Sequence, residues 1–308
     1  MKQANTYTVE KSPSTPPLYL RALKPRTGFH DGDELPQTRI TWSGFTFDEA
    51  TVTAYADACQ YPVVNGQIPL FFPHSFFGPL HLLMLTDENF PLKVIGGVHL
   101  RNHLIQHAPL YVGSHYDAAI YLTAARRRPQ GLEVDFRTEV READKLLWES
   151  VTTFLFRKKF KQEDTECPME QSIQNIAAPG LLGTFPVPAN TGKRFGMITK
   201  DINPIHMSKW LAKLFGFKRD LCHGMWALGR SLPIIENKAQ SEGIDIDYSR
   251  PVRSDVAFKG PLYIGQDIIV KTAADSQPQK HPLQYELYSG KNERPCVVAS
   301  IGNTADGA

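Results

Sequence analysis

Alternating apolar and polar positions run along the chain in two similar series. They occupy residues 117–127, 131–142, 145–158, 266–274, 282–290 and 295–302. Such alternation predicts β-strands in sheets that have one buried face. Each series is preceded by segments with apolar residues at helical spacing. Helices followed by a run of strands predict an α+β fold for each half of the chain.

The predicted helices lie at 48–60 and 73–86 in the first half and at 204–217 and 224–240 in the second. In segment 204–217 the apolar residues fall near the 3.6-residue period. This spacing predicts one amphipathic helix, with a buried face formed by Ile205, Trp210, Leu211 and Leu214.

An internal repeat relates the two halves. Residues 109–113 read PLYVG and residues 261–265 read PLYIG, an offset of 152 residues. A repeat of this length predicts two units built on one plan. We place these units at 1–165 and 191–308. The polar, then Pro- and Gly-rich stretch 166–190 is the predicted linker between them.

Composition narrows the class of protein. Hydrophobic residues make up 42% of the 308 residues, enough for a core in each unit. The formal net charge of +2 gives no indication of a nucleic-acid partner. The sequence contains no run of 18 apolar residues, so no membrane span is predicted. The four cysteines are far apart, which argues against a metal or disulfide framework. We therefore expect a soluble, cytoplasmic protein.

One segment of the second half carries candidate chemistry. Asn203 is a favoured N-cap residue and Pro204 suits the first helical position. Asp201 then lies just before the helix and His206 at its third residue. This spacing holds a carboxylate and an imidazole at one helix start, where the positive end of the helix dipole also disfavours a protonated imidazole.

A second helix start follows 17 residues after His206. It reads His223-Gly224-Met225. The first N–H groups of a helix have no partner within it, so they can bind an oxygen that becomes negative during a reaction. Gly224 allows a ligand to approach that backbone closely.

Together these residues resemble the signature of the MaoC-type (R)-specific enoyl-CoA hydratases and 3-hydroxyacyl-thioester dehydratases. The matching positions are Asp201, Asn203, Pro204, His206, Ala212, Phe215 to Phe217 and His223 to Met225. Two positions depart from the family pattern, with Lys200 in place of a frequent Gly and Cys222 in place of a frequent Ala. Neither change removes a group that the chemistry needs.

The resemblance implies two fused hotdog units, each an antiparallel sheet wrapped around a long helix. It implies a hydro-lyase of fatty-acyl metabolism that reversibly hydrates trans-2-enoyl thioesters to (R)-3-hydroxyacyl thioesters. Asp201 and His206 would hold the reacting water, Asn203 would orient them, and Gly224 N–H would bind the thioester carbonyl, beside His223 and Met225 as further substrate contacts. No metal or other cofactor is implied. CoA or an acyl carrier protein would carry the acyl group.

The resemblance also implies a non-catalytic first half. This half contains no Asp-x-Asn-Pro-x-His, and His74 stands roughly where His223 stands in the second half. An apolar cluster in this half is interpreted as core, with an acyl pocket as the second interpretation: Phe71, Phe72, Phe76, Phe77, Leu80 and Leu82.

Three histidines of the first half recur every fourth residue, at His99, His103 and His107. On a helix this spacing would resemble a metal site. Their repeat counterparts lie in a segment with an extended pattern, so we predict that the three lie on one face of a strand.

Two rival functions remain open at this point. Hotdog folds also support thioesterases, which release free thiol. A non-catalytic subunit that binds acyl thioesters would show binding without turnover. The fused pair is compatible with both a monomer and a homodimer.

Overall fold

The computed structural model describes residues 5–161, 163–164, 173–243, 245–273 and 282–304. The strands are β1 Asn5–Thr8, β2 Thr38–Thr46, β3 Val98–Gln106, β4 His115–Arg128, β5 Gly131–Glu142, β6 Lys145–Phe156, β7 Pro179–Pro186, β8 Val252–Phe258, β9 Asp267–Ala273, β10 Leu283–Ser289 and β11 Val297–Asn303. The helices are α1 Thr15–Ala22, α2 Glu49–Cys59, α3 Phe72–Phe76, α4 Gly78–Leu85, α5 Thr191–Thr199, α6 Pro204–Met207, α7 Lys209–Leu214 and α8 Gly224–Ser241.

The described strands form one sheet in the order β1-β2-β4-β5-β6-β3-β8-β11-β10-β9-β7. Apart from β1, which pairs with β2 in parallel, neighbouring strands are antiparallel. The order reads as two mirrored halves that meet where β3 pairs with β8. The α+β prediction is confirmed, and both halves share the same strand plan.

The junction of the halves matches the repeat. On the paired strands β3 and β8, His103 lies directly opposite Asp255, and these two positions are 152 residues apart, as are the two PLYxG segments. Repeat-related positions therefore face each other at this pair, so the local two-fold axis of the molecule passes between His103 and Asp255.

Alternation of residue types located the strands correctly, although several strands, among them β5, β10 and β11, are buried along nearly their whole length. Buried aromatic and aliphatic side chains of both half-sheets join one continuous hydrophobic core. In the second half α8 lies in this core through Trp226, Leu228 and Ile235. In the first half α3 contributes Phe72, α4 contributes Leu80 and Met84, and Phe77 between the two helices is buried with them.

The Phe cluster of the first half lies largely in the hydrophobic core. Phe72, Phe76 and Phe77 pack against the rings of Phe45 and Phe47 on and just after β2. Phe71, Phe72, Phe77 and Leu80 are buried, which agrees with the first interpretation, and the acyl pocket stays a second interpretation of this cluster.

The predicted linker 166–190 contains a strand. Residues Pro179–Pro186 form β7, which pairs with β9 at the edge of the second half-sheet. The Pro and Gly residues that suggested a linker are compatible with an edge strand, where a missing backbone donor costs little. Residues 165–172 lie outside the described residues, and the division into two units stays a prediction.

The predicted helix 204–217 is broken in two. Ser208 has an extended backbone, ends α6, and its side chain accepts a hydrogen bond from Trp210 N at the start of α7. Of the apolar residues expected to form a buried face, Trp210, Leu211 and Leu214 are exposed. The single amphipathic helix was therefore the wrong prediction for this segment.

Of the three spaced histidines, His99 and His103 lie on β3 and His107 directly follows it, and His99 and His103 do not share one face. A register shift between His99 and Arg101 turns His99 towards the rings of His74, Phe154 and Phe258. His103 instead pairs with Asp255. None of the helices that the structure describes is long and apolar enough to cross a membrane.

Candidate active site

The candidate site lies where α5 ends and α6 begins. Lys200 caps α5 in the left-handed conformation, with φ 61°, which turns the chain into Asp201. A glycine adopts this conformation at less cost, which gives a physical reason for the glycine frequent in the family. The Oδ1 atom of Asp201 accepts a hydrogen bond from Asn203 N at 3.2 Å.

Asn203 is the N-cap of α6, as predicted. Its side-chain oxygen accepts a hydrogen bond from Ile205 N at 3.4 Å, and Pro204 is the first helical residue. His206 is consequently the third residue of α6. The cap fixes the direction in which His206 leaves the loop that carries Asp201.

Two imidazole rings stand beside the carboxylate. His206 and His223 are stacked with ring centroids 3.8 Å apart. Nδ1 of His206 lies 3.0 Å from the carbonyl oxygen of Leu221, to which it donates, so Nε2 of His206 carries the lone pair. Nε2 of His223 lies 3.1 Å from the carbonyl oxygen of Asp201 and 3.5 Å from its Oδ2 atom.

The surroundings favour a charged carboxylate beside neutral imidazoles. Burial opposes ionisation of Asp201, but His223, His206, the Tyr19 hydroxyl and Asn203 N–H together hold its pKa below the ordinary value. Burial lowers the pKa of His206, against the opposing effect of Asp201. Burial, assisted by His206, lowers the pKa of His223 to about 3.

The neutral state of His206 has a different cause from the predicted one. Helix α6 is only four residues long, so it has little macrodipole to act on the ring. Burial is the main cause of the lowered pKa of His206. The neutral imidazole stays a prediction, supported by the lowered pKa, and its main cause is burial instead of the helix dipole.

Tyr19 is a site residue that the sequence analysis missed. It lies on α1, 182 residues before Asp201, and its hydroxyl donates to Asp201 Oδ1 at 2.9 Å. Burial and the neighbouring carboxylate raise the pKa of Tyr19, which keeps the hydroxyl protonated as a donor. No local pattern links α1 to the signature, so only the fold brings the two together.

Two glycines of α5 pack closely against the backbone of the segment that carries Asp201 and His206. Gly192 lies directly against the carbonyl group of His206, and a Cβ atom at Gly196 would lie 2.6 Å from the carbonyl oxygen of Asp201. They are four residues apart and share one helix face. The Gly-x-x-x-Gly spacing in 192–196 was a readable signal of close backbone approach, and the sequence analysis did not use it.

Gly224 is the first residue of α8, with His223 as the N-cap. A Cβ atom at this position would collide with the ring of Phe258. Gly224 is thus required for packing against Phe258, a reason that the sequence analysis did not give. Met225, predicted as a substrate contact, follows Gly224 in α8 and is buried in the hydrophobic core.

The first half supplies one wall near the site. The ring of Phe258 lies between Gly224 and His99, with the His99 and Phe258 centroids 4.6 Å apart. His99 in turn stacks on His74 at 5.0 Å. His74, the counterpart of His223, is hydrogen-bonded to Asn102 and Thr152, away from any carboxylate, which fits a non-catalytic role.

Asp201, His206 and His223 also have the donor set of a cation site. One ligand atom from each lies within 4.8 Å of the others. Among the residues that the structure describes, no other group of His, Cys, Asp and Glu meets this criterion, so His99, His103 and His107 do not form a metal cluster. The same three groups can equally hold a water molecule between a carboxylate and a neutral imidazole.

Comparison with known proteins agrees with this geometry. Residues 178–285 match the family model described as MaoC like domain. The curated 3-hydroxyacyl-thioester dehydratase X of Mycobacterium tuberculosis is 29% identical over 232 residues, which cover 75% of this chain and 79% of the relative.

Solved structures show the same fold. The crystal structure of HtdX from M. tuberculosis has a TM-score of 0.69 at 24% identity, over 86% of this chain and 100% of that one. A M. tuberculosis protein described as having a double hotdog fold has a TM-score of 0.53 at 12% identity, over 90% of this chain and 98% of that one. The chain therefore contains a MaoC-like domain at residues 178–285, is similar in sequence to a 3-hydroxyacyl-thioester dehydratase, and has the hotdog fold of its structural neighbours.

Proposed function

We propose that the chain reversibly hydrates trans-2-enoyl thioesters to (R)-3-hydroxyacyl thioesters at Asp201 and His206. One observation carries the proposal. A carboxylate oxygen of Asp201, whose side chain is 42% exposed, and one ring nitrogen each of His206 and His223 lie within 4.8 Å of one another. The Nε2 atom of His206 is the ring nitrogen that does not face the Leu221 carbonyl. The relative named a 3-hydroxyacyl-thioester dehydratase supports the same substrate class.

Hydration adds water to C3 and a proton to C2 of the enoyl group. One group must take a proton from the attacking water while another delivers a proton to C2. An ionised Asp201 and a neutral His206 supply the base and, after the proton moves, the acid. They share one water molecule, so they act as a coupled pair.

The developing negative charge on the thioester oxygen requires a fixed donor. Gly224 N–H is at the first position of α8, where helix N–H groups have no partner within the helix. We assign this N–H to the thioester carbonyl. His223 positions Asp201 through the carbonyl oxygen that it binds.

The N-terminal unit, in this proposal, does no chemistry itself. It contributes Tyr19, which donates to Asp201, and His99, which packs on Phe258 beside Gly224. In a symmetric hotdog pair the same wall would come from a second catalytic copy. Here the fused first half takes that place.

The test compares wild type with Asp201→Asn on a series of trans-2-enoyl thioesters of increasing length. Asparagine keeps the size and an oxygen acceptor but loses the base, so we expect kcat/KM to fall by a factor of about 10²–10⁴. Loss of the conjugated enoyl absorbance and release of free thiol are followed together. Asp245→Asn, at an exposed position, is the matched control.

Each result has a definite meaning. Enoyl loss without thiol release, abolished only by Asp201→Asn, supports the hydratase. Thiol release would replace it with a thioesterase. Binding of every thioester without turnover, whether on CoA or on a carrier protein, would leave a non-catalytic binding subunit.

A further inference from the structure

Helix α7 presents an unusual surface to solvent. Its members are Lys209, Trp210, Lys213 and Leu214, with Phe215 at the helix end, and we refer to them as the α7 surface. Trp210 is 66% exposed and Leu214 is 81% exposed. Among the residues of α7, only Ala212 is buried. Contiguous exposed apolar side chains on a soluble protein often mark a site of interaction.

The tryptophan ring of this surface already has neighbours. The ammonium groups of Lys209 and Lys213 lie 5.3 and 4.9 Å from the centroid of the Trp210 ring. Cation–π contacts of this kind hold both lysines over the aromatic ring. The result is a positively charged rim directly on an apolar centre.

The positive charge extends around the catalytic segment. Between residues 191 and 220 the chain has seven basic residues and two acidic residues, Asp201 and Asp220, although the formal net charge of the whole chain is only +2. Asp220 pairs with Arg219. The basic members are Lys193, Arg194, Lys200, Lys209, Lys213, Lys218 and Arg219. A local field of this sign attracts a negatively charged partner and increases its association rate.

The α7 surface is also continuous with the active site. Helix α7 begins three residues after His206, and Ser208 both ends α6 and caps α7. Lys200, another member of the basic set, directly precedes Asp201. A partner seated on α7 is therefore held beside the dyad.

We propose that the α7 surface docks an acyl carrier protein, a small acidic protein that presents the thioester substrate to Asp201 and His206. This inference rests on the proposed function. The apolar centre matches the exposed apolar residues of a protein face, and the surrounding lysines match its carboxylates. Interfaces of this kind combine an apolar core with a charged rim.

Three other occupants fit less well. The adenine ring of CoA would have to displace two lysines from Trp210, and it would leave Leu214 uncovered. A second copy of the chain, in a two-fold pair, would place the same lysines against each other. A six-residue helix offers a lipid surface much less apolar area than the long amphipathic helices that bind membranes.

The experiment uses one enoyl group on three thioesters: an acyl carrier protein, CoA and N-acetylcysteamine. The variant is Lys209→Glu with Lys213→Glu. The matched control is Lys145→Glu with Lys159→Glu, two exposed lysines of the first half. Leu214→Asp, as a second variant, tests the apolar centre without reversing a basic residue.

We expect the α7 charge variant to raise KM for the carrier thioester about tenfold, because reversed charges repel an acidic partner. The KM for the CoA and N-acetylcysteamine thioesters should change less than about twofold. Rising ionic strength should raise KM for the carrier thioester in wild type, and this dependence should be largely lost in the variant. The control pair should behave as wild type.

Two outcomes overturn the docking proposal while leaving the hydratase intact. One is an equal effect of the variants on carrier and CoA thioesters, which would assign the surface to CoA. The other is that the α7 charge variant has an unchanged KM for the carrier thioester but no longer binds vesicles of anionic lipid that wild type binds. This result would assign the α7 surface to a membrane. No turnover of any of the three substrates by wild type would instead refute the proposed function itself.

Discussion

Replacing Gly196 by alanine should impair catalysis without weakening the fold. Gly196 lies in α5, and an alanine Cβ atom would stand 2.6 Å from the carbonyl oxygen of Asp201. The same oxygen accepts the hydrogen bond from Nε2 of His223. The added methyl group therefore pushes on the backbone that carries Asp201 and on its link to His223.

The size of the effect follows from the geometry. Contacts below 3.0 Å are essentially never seen for real Cβ atoms, and 3.4 Å is an ordinary contact, so Asp201 must move by about 0.4–0.8 Å. A misplacement of about 1 Å costs about 10²-fold in rate, so we expect kcat/KM to fall about tenfold. Alanine is favoured over glycine within a helix by about 1 kcal/mol, which offsets part of the strain in the free energy of unfolding.

The assay measures enoyl hydration and the thermal midpoint of unfolding for the same preparation. Gly78→Ala is the matched control, because no atom lies within 4 Å of a Cβ atom there and Gly78 also lies in a helix. We expect the control to keep wild-type activity. A Gly196→Ala protein with activity within about twofold of wild type and a normal midpoint would refute the close-approach argument.

Three further predictions concern the charges of the site and the junction. Tyr19→Phe removes a donor to Asp201, so the pKa of the Asp201 carboxyl, followed by NMR titration of that carboxyl, should rise. An unchanged pKa would exclude this role. Activity requires an ionised Asp201 and a neutral His206, so the acid limb of the pH profile of kcat/KM follows whichever of the two has the higher pKa. Because the pKa values of both groups are lowered, this limb in wild type should lie below about 6.5, and a midpoint above 7 would contradict a neutral imidazole. Asp255→Asn breaks a buried pair with His103, so the free energy of unfolding by urea should fall by about 3 kcal/mol. Since His103 and Arg253 hold the pKa of Asp255 below its ordinary value, against the opposing effect of burial, the wild-type contribution should persist above about pH 4. It should be lost as the pH falls through the lowered pKa, and a variant as stable as wild type at pH 7 would contradict the assignment.

The sequence predicted those parts of the structure that depend on short-range pattern. Strand β5 has the predicted bounds, 131–142, because apolar and polar residue types alternate along it, although nearly all of its side chains are buried. The cap at Asn203 was predicted for a similar reason, since an N-cap and a following Pro act only on the adjacent turn. The strand plan of the two halves followed from the repeat.

Features that depend on long-range packing were missed. Tyr19 reaches Asp201 only because α1 and the catalytic segment meet in the folded protein. Trp210 and Leu214 have helical spacing, but Ser208 competes for the backbone as a cap and divides the helix. Strand β7 had turn-forming residues and acquired its partner, β9, from a segment about 90 residues later.

The pair at the local two-fold axis has a consequence for how the two halves can assemble. Suppose that the halves were separate and that each paired with its own copy through the strand now at the junction. In a pair of first halves, β3 would meet β3 and His103 would face His103. In a pair of second halves, β8 would meet β8 and Asp255 would face Asp255. The second arrangement places two carboxylates together in a buried position, which is costly. The fused chain instead sets unlike residues opposite each other. The junction therefore favours the mixed pair over a pairing of the second half with its own copy.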